Sequence, residues 1–444
     1  MTTISAAQAA LPEGLAAATL TITDGRISAV TAGADPSADT QLGDDVVLLP
    51  GGVDTHVHLN EPGRTEWEGI GTGTLAASLG GITTVLDMPL NSVPSTTTPQ
   101  ALAAKRAAAR GQMSNDLGYW GGAVPQSLGH LQELWDEGVF GFKCFTLPSG
   151  VDEFEPLDAS QFVAAQREIA GFGGLLIVHA EDQHTIESAP HQGSRAYADF
   201  LASRPDEAEL VAIKQVIDGV RETGCRTHLL HLSSARALDM LASARAEGLP
   251  LSVETCPHYL CLSADEIPDA APQFKCCPPI RDAGNADALW AALDEGIIDM
   301  VVTDHSPATA ERKFAGDGDL QLAWGGIAGV QVGYTAMLHH AARRGFGPER
   351  VAGWMSTNTA RTIGVANKGG IVVGNDADLA LYRPGATLDV TAAGLAHKNP
   401  ISAWDQKSFD GRIEKVWLRG EVISEGMPVA PVARLTGREI FRTH

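Results

Sequence analysis

Short apolar runs alternate with longer amphipathic stretches through the middle of this chain. The runs Gly52–Val57, Ile82–Asp87, Leu117–Ala123, Phe140–Phe145, Leu175–His179, Thr227–Leu232, Leu249–Thr255 and Met300–Asp304 have strand length and are rich in Val, Ile and Leu, which predicts buried β-strands. Between them, Thr98–Gln112, Ala159–Phe172, Glu207–Thr223, Ala235–Glu247 and Asp287–Glu295 space their apolar residues as helices do. Eight strands alternating with helices predict an α/β fold, a (β/α)8 TIM-like barrel over residues 51–365. The competing arrangement is an open doubly wound sheet. Against it, no GxGxxG follows the first strand and the sequence holds no P-loop.

The two flanks have a different texture. Residues 1–50 and 366–444 consist of short β-like runs broken by turns: Ala17–Ile22, Ile27–Val30 and Val46–Leu49 before the barrel, then Gly370–Val373, Asp378–Tyr382, Ile413–Leu418 and Glu421–Ile423 after it. Neither flank has enough residues for a large core of its own. Together they are expected to form one small β-sandwich, its first part in 1–50 and its second in 366–444.

Composition narrows the function classes. With 54 acidic against 32 basic residues, the formal net charge of −22 works against binding nucleic acid phosphates or anionic lipid. No apolar run is long enough to span a bilayer, and the first basic residue is Arg26, so the basic start of a secretory signal is missing. The six cysteines, Cys144, Cys225, Cys256, Cys261, Cys276 and Cys277, form no CxxC pair. Free thiols in a reducing cytoplasm are the expected state.

Candidate chemistry gathers where the predicted strands end. His56 and His58 are two residues apart, so in a strand both imidazoles face the same side. Lys143, His179, His231 and Asp304 each follow an apolar run, at the end of the fourth, fifth, sixth and eighth strands. One such residue alone would more often be a satisfied buried polar group. Six on five strands argue for a centre, because barrel active sites are built from the C-terminal strand ends. Imidazole with carboxylate suits Zn²⁺ first, then Co²⁺, Mn²⁺ or Fe²⁺. Lys143 is the odd member. As an ammonium it would repel a dication; as a CO₂-derived carbamate it would be an anionic oxygen donor able to bridge two.

These stretches resemble the amidohydrolase superfamily in its cyclic amidase branch, which holds dihydroorotases, hydantoinases or dihydropyrimidinases, and allantoinases. Among these the chain resembles the allantoinases most. The resemblance runs through Val53–Gly63 (VDTHVHLNEPG), Gly80–Pro89 (GGITTVLDMP), Gly141–Phe145, Val178–Glu181, His231–Ser234, Glu254–Tyr259 (ETCPHY), Lys275–Arg281 and Thr303–Pro307 (TDHSP). It implies two divalent metal ions, zinc by preference. His56 and His58 would hold the more buried ion and His179 and His231 the more exposed one. Carboxylated Lys143 would bridge them, and Asp304 would complete the first site and carry the proton. It also implies a homotetramer or homodimer, and hydrolysis of the hydantoin ring of allantoin to allantoate in purine catabolism. The alternatives are a hydantoinase or dihydroorotase activity on the same metals, and, more remotely, a metal-free scaffold homologue.

Four positions are expected to contact substrate. Asn60 stands where dihydroorotases carry an Arg for a substrate carboxylate, and an amide suits a small neutral heterocycle with a ureido group. Arg64 nearby could still serve an anion. Asn91 and Ser306 follow the second and eighth strands, where an Asx-turn and a helix cap are the competing roles. Cys277 replaces the Ser common in relatives, a weak donor for a stronger one. Pro148 occupies the position, five residues after Lys143, where hydantoinases hold their substrate with a Tyr. Glu181, Asp182 and His305 are expected as outer partners of the ligands. Gly325-Gly326 after Trp324 reads as a mobile loop or a close-approach turn. His184, His191, His339 and His340 read as ordinary surface or helix residues.

Overall fold

The computed structural model describes residues 1–425 and 435–442. Eight parallel strands form the barrel in sequence order. They are Gly52–Val57, Ile82–Asp87, Asp116–Tyr119 continued by Gly121–Gly122, Phe142–Phe145, Leu175–His179, Arg226–Leu229, Leu251–Thr255 and Met300–Val301. The third strand breaks at Trp120, whose indole N–H donates to the Thr55 carbonyl (2.8 Å). The ring closes where Val57 bridges His305 in parallel. Asp54 reinforces this closure: its carboxylate accepts from the Thr303 hydroxyl (2.5 Å) and the Thr303 N–H (3.2 Å).

Side-chain caps start several outer helices. Thr98 accepts from the Ala101 N–H ahead of Pro99–Ala109, and Asp158 forms a capping box with Gln161 at Ala159–Gly171. Asp282 caps Ala283–Asp294 through the Asn285 N–H. The structure adds a helix that the spacing did not announce, Ile70–Leu79. Gly71, Gly73 and two threonines weaken its intrinsic propensity. Gly73 is needed there for contact, since a Cβ would lie 2.4 Å from Leu59 Cδ2.

Both flanks meet in one sheet. Its strands run Glu421–Ser424, Ser408–Leu418, Leu379–Asp389, Val47–Pro50, Thr2–Leu11, Gly14–Thr23 and Arg26–Ala32, with Thr40–Leu42 also against Thr2–Leu11. Thr2–Leu11 changes partner at a bulge between Ala6 and Ala9: Ile4–Ala6 pair with Thr40–Leu42, whereas Ala9 pairs with Leu48. That switch folds the sheet over a small core of its own, where Ile4, Leu20 and Leu48 pack with Leu379 and Trp417. Residues 435–442 run back along the barrel instead. Leu117 and Ile440 share a backbone hydrogen bond (2.9 Å), and Glu439 binds Arg106 (2.5 Å). Among the described residues, no helix is long and apolar enough to cross a membrane.

One buried cation ties the flank sheet to the barrel. Lys368 Nζ donates to Asp116 and Asp378 (both 2.6 Å) and meets Asp376 at 2.9 Å, while Arg419 clamps Asp116 (2.5 Å). Burial alone would lower the Lys368 ammonium, but Asp378, Asp116 and Asp376 hold it above its ordinary value. Removing it would leave buried Asp378 without a side-chain cation and take the nearer cation from Asp376 and one of two from buried Asp116. Lys368→Ala is therefore expected to lose about 3–5 kcal/mol of stability, read from denaturant midpoints. A loss below about 1 kcal/mol would mean that the pairs contribute as surface pairs do.

Candidate metal centre

The open end of the barrel gathers six ligand-type side chains. His56 lies in the first strand and His58 follows its last residue, in the same alternation. Lys143 comes from the fourth strand and His179 ends the fifth. His231 and Asp304 lie just beyond their strands with φ of 36° and 44°. Such left-handed backbone in residues other than glycine costs about 1–3 kcal/mol, and here it belongs to two residues that face the centre.

The reactive atoms converge. His56 Nε2 is 3.1 Å from Asp304 Oδ1, His58 Nε2 is 3.7 Å from the same oxygen, and Lys143 Nζ is 3.3 Å from His56 Nε2. On the other side the His179 and His231 rings meet edge-on at 4.5 Å, and His231 lies 5.4 Å from His56. Phe145 stacks on His179 at 4.7 Å, fixing its plane.

Outer partners set which ring nitrogen faces inward. Glu254, at the end of the seventh strand, meets His56 Nδ1 at 2.6 Å. With its proton there, His56 presents the Nε2 lone pair to the centre. The other Glu254 oxygen meets His228 Nε2 at 3.0 Å, and His228 Nδ1 meets Ser252 Oγ at 2.7 Å. Glu181 meets His179 Nε2 at 2.7 Å, which leaves Nδ1 for the centre. Glu254→Gln is expected to weaken metal retention or turnover by about 10–100-fold, measured by chelator competition. Wild-type retention and turnover in that variant would remove Glu254 from the site.

The electrostatics fit a cation. Burial holds His56, His58 and His231 well below the usual imidazole range, so their rings are neutral and carry lone pairs. His231 Nδ1 is buried without a protein partner. Burial lowers the Lys143 ammonium, against the pull of Asp304 and Glu254. It raises the Asp304 carboxyl, against Lys143. Neutral imidazoles and an aspartate side chain turned to one point are donors a divalent metal takes, and burial weakens the opposing charge of Lys143.

A cavity of about 340 Å³ opens over this group, near the lower end of the roughly 300–1,000 Å³ found for small-ligand sites. His58, Lys143, His179, His231 and Asp304 line its floor, with His56 fully buried beneath. Asn91, Cys277 and Ser306 stand in its wall, as does Pro148. Asn60 is not among the residues that line it. It sits in a left-handed turn (φ 62°), is buried, and its amide points to the Pro307 carbonyl at 3.5 Å. Arg64 is taken up by Glu153 and lies over Trp67 (5.1 Å). Of the expected outer partners, Glu181 touches a centre histidine. Asp182 instead caps Gln183–Ser188, and His305 turns to Glu68 (3.3 Å) and the Gly329 N–H (3.1 Å).

Gly325-Gly326 is a close-approach turn. Gly326 has φ 128°, and a Cβ there would lie 2.4 Å from the Ser306 carbonyl. Buried Lys313 pins this loop over the cavity by donating to the carbonyls of Lys275 (3.0 Å), Trp324 (2.9 Å) and Gly326 (2.5 Å). Burial pushes its ammonium down to about 7. Glu254, Arg204 and Lys313 carried no signal as site residues in the sequence. Glu254 could have been found from its place in ETCPHY, in phase with the seventh strand's end; Arg204 and Lys313 lie in segments without a motif.

Comparison with known proteins agrees with this geometry. A family model described as "Amidohydrolase family" matches residues 47–423. An allantoinase of Streptomyces avermitilis is 51% identical over 432 residues, 96% of each chain. An allantoinase of Saccharomyces cerevisiae is 43% identical over 85% of this chain and 82% of its own. Among solved structures, the L-hydantoinase (dihydropyrimidinase) of Arthrobacter aurescens superposes over the full length of both chains with a TM-score of 0.93 at 28% identity.

Proposed function

The chain belongs to the amidohydrolase family, and from that premise we propose that it hydrolyses the hydantoin ring of allantoin to allantoate. The observation that carries the reading is the convergence of four buried imidazoles, Lys143 and Asp304 under a cavity sized for a small heterocycle. The substrate follows from the allantoinases of bacteria, yeast and plants that the chain resembles at 40–51% identity.

His56, His58 and Asp304 would hold one divalent ion, and His179 with His231 a second. Lys143, carboxylated, would reach both. Such a pair, zinc by its donor set, supplies Lewis acidity and a water of lowered pKa. The chain's own part is positioning and proton transfer. Lys143 in its neutral form adds CO₂: an N–C bond forms, one proton leaves, and the amine becomes an anionic carbamate. Asp304 accepts the attacking water's proton on its carboxylate and returns it to the departing ring nitrogen. Asn91 and Ser306 offer an amide and a hydroxyl to the heterocycle from the cavity wall, and Cys277 offers a thiol and its backbone. The lining loop 321–326, held by Lys313, keeps bulk water from the ring. The reading extends to purine catabolism in a reducing cytoplasm, where the six free thiols stay reduced, and to a homodimer or homotetramer.

Metal analysis and a substrate panel test it together. Protein purified without chelator should hold about two zinc per chain, lose activity on chelation and regain it on metal return. In parallel assays allantoin should be opened faster than dihydroorotate or dihydrouracil. A preference for dihydroorotate, or protein free of divalent ions yet active, would overturn the reading.

A further inference from the structure

The cavity wall carries a cation that neither the metal-holding set nor the proton transfer uses. Arg204 follows the short helix Tyr197–Ser203 and lines the cavity with Lys275 and Cys277. Its Nη1 donates to Glu181 Oε2 at 2.6 Å, and the same oxygen meets His179 Nε2 at 2.7 Å. The guanidinium is thus a single carboxylate oxygen away from a ring of the centre, and buried Glu181 fixes where it stands.

A guanidinium has five N–H donors in a planar fork. Among the described residues, the hydrogen bond of the Arg204 side chain goes to Glu181. Lys275, the neighbouring cation, spends its ammonium on the carbonyls of Gln321 (3.2 Å) and Ala323 (2.6 Å). Lys143 faces His56, and Pro148 offers no side-chain donor. Arg204 is therefore a fixed cation of the wall with donors to spare.

Its place relative to the centre selects what it binds. A ring amide held over the histidines presents its reacting carbonyl to the floor. In allantoin the next ring carbon bears the ureido group, so the ureido carbonyl projects away from the reacting bond toward the cavity wall, where Arg204 stands one carboxylate oxygen from His179. A neutral urea oxygen can accept two N–H bonds from one fork, and charged donors make the stronger hydrogen bonds. Resting on the proposed substrate, we infer that Arg204 is the specificity residue for the exocyclic ureido group, donating its fork to the ureido carbonyl while Glu181 holds it in place. A hydantoin without that group leaves the partly desolvated guanidinium without its acceptor, which is how a polar site rejects an analogue.

The test compares wild type, R204Q and R204K on allantoin and on unsubstituted hydantoin, with metal content measured for each. Hydantoin is followed as a substrate and as a competitive inhibitor of allantoin opening. The expected result is that R204Q loses at least about a hundredfold more kcat/KM on allantoin than on hydantoin, mainly through KM, with metal content unchanged. R204K keeps the charge without the fork and should fall between the two; it also serves should R204Q fold poorly. An equal loss on both substrates, or a fall in metal content, would mean that Arg204 acts through Glu181 on His179, and overturns the inference. R204K equal to wild type overturns it as well. Wild type that opens hydantoin or dihydrouracil but not allantoin would instead sink the substrate reading itself.

Discussion

Lys143→Ala protein is expected to purify with less than about one divalent ion per chain and to lose at least about 10⁴-fold in kcat/KM, roughly 5 kcal/mol of barrier. The direction of the metal change is what makes this informative. As an ammonium, Lys143 would repel a cation at the site, and its removal would tighten metal binding. As a carbamate it supplies oxygens that the four imidazoles cannot, and its removal leaves two histidine pairs with nothing between them. The residue's setting favours the second form. Its amine lies 3.3 Å from His56 Nε2 in a fully enclosed strand end, and burial works against the charged ammonium. The void left by alanine also gives a second readout. A small carboxylate such as propionate should restore part of the metal content and rate, and Lys143→Met, which fills the void, should not respond. Wild-type metal content in Lys143→Ala would end the bridging role.

Asp304→Asn is expected to lower kcat by about 10³–10⁴-fold, with KM within a few-fold of wild type. Asparagine keeps the shape and one oxygen donor of aspartate but cannot carry the proton between water and leaving nitrogen. Asp304 Oδ1 faces His56 and His58, and the left-handed backbone at 44° turns the carboxylate inward, so the substitution leaves the geometry and removes the basicity. Metal content should drop far less than in Lys143→Ala. A loss under about tenfold would reduce Asp304 to a ligand and move proton transfer elsewhere.

The six centre residues could be read from the sequence because of barrel geometry. Each of His56, His58, Lys143, His179, His231 and Asp304 follows an apolar run, and parallel strands in a closed ring bring such ends together whatever their distance in sequence. Asn60 shows where that logic stops. It follows His58 by two residues, but a positive φ places its amide beside the Pro307 carbonyl, and local spacing does not encode that turn. Glu254 and Arg204 are tied into the site by contacts to His56 and Glu181 that span nearly two hundred and about twenty residues. The helix Ile70–Leu79 carries weak helix formers, among them Gly73 kept for contact with Leu59, so packing and propensity conflict there. The flanks could be recognised as β-rich, but the order of their strands could not, because pairing between ends of the chain leaves no local pattern.

That pairing has a consequence for how the molecule is made. Leu48 is paired across the sheet with Leu381, and Val47–Pro50 also flanks Thr2–Leu11. At synthesis rates of about 5–20 residues per second, the early strands leave the ribosome roughly 15–65 seconds before their partner exists. Throughout that interval Leu48 has an unfilled edge beside it, the exposure that invites pairing with a neighbouring nascent chain, and Ile4 lacks the Leu379 and Trp417 side chains of its core. Barrel strands can join their neighbours in the order they emerge, so strands translated ahead of the barrel are among the last to reach their final surroundings.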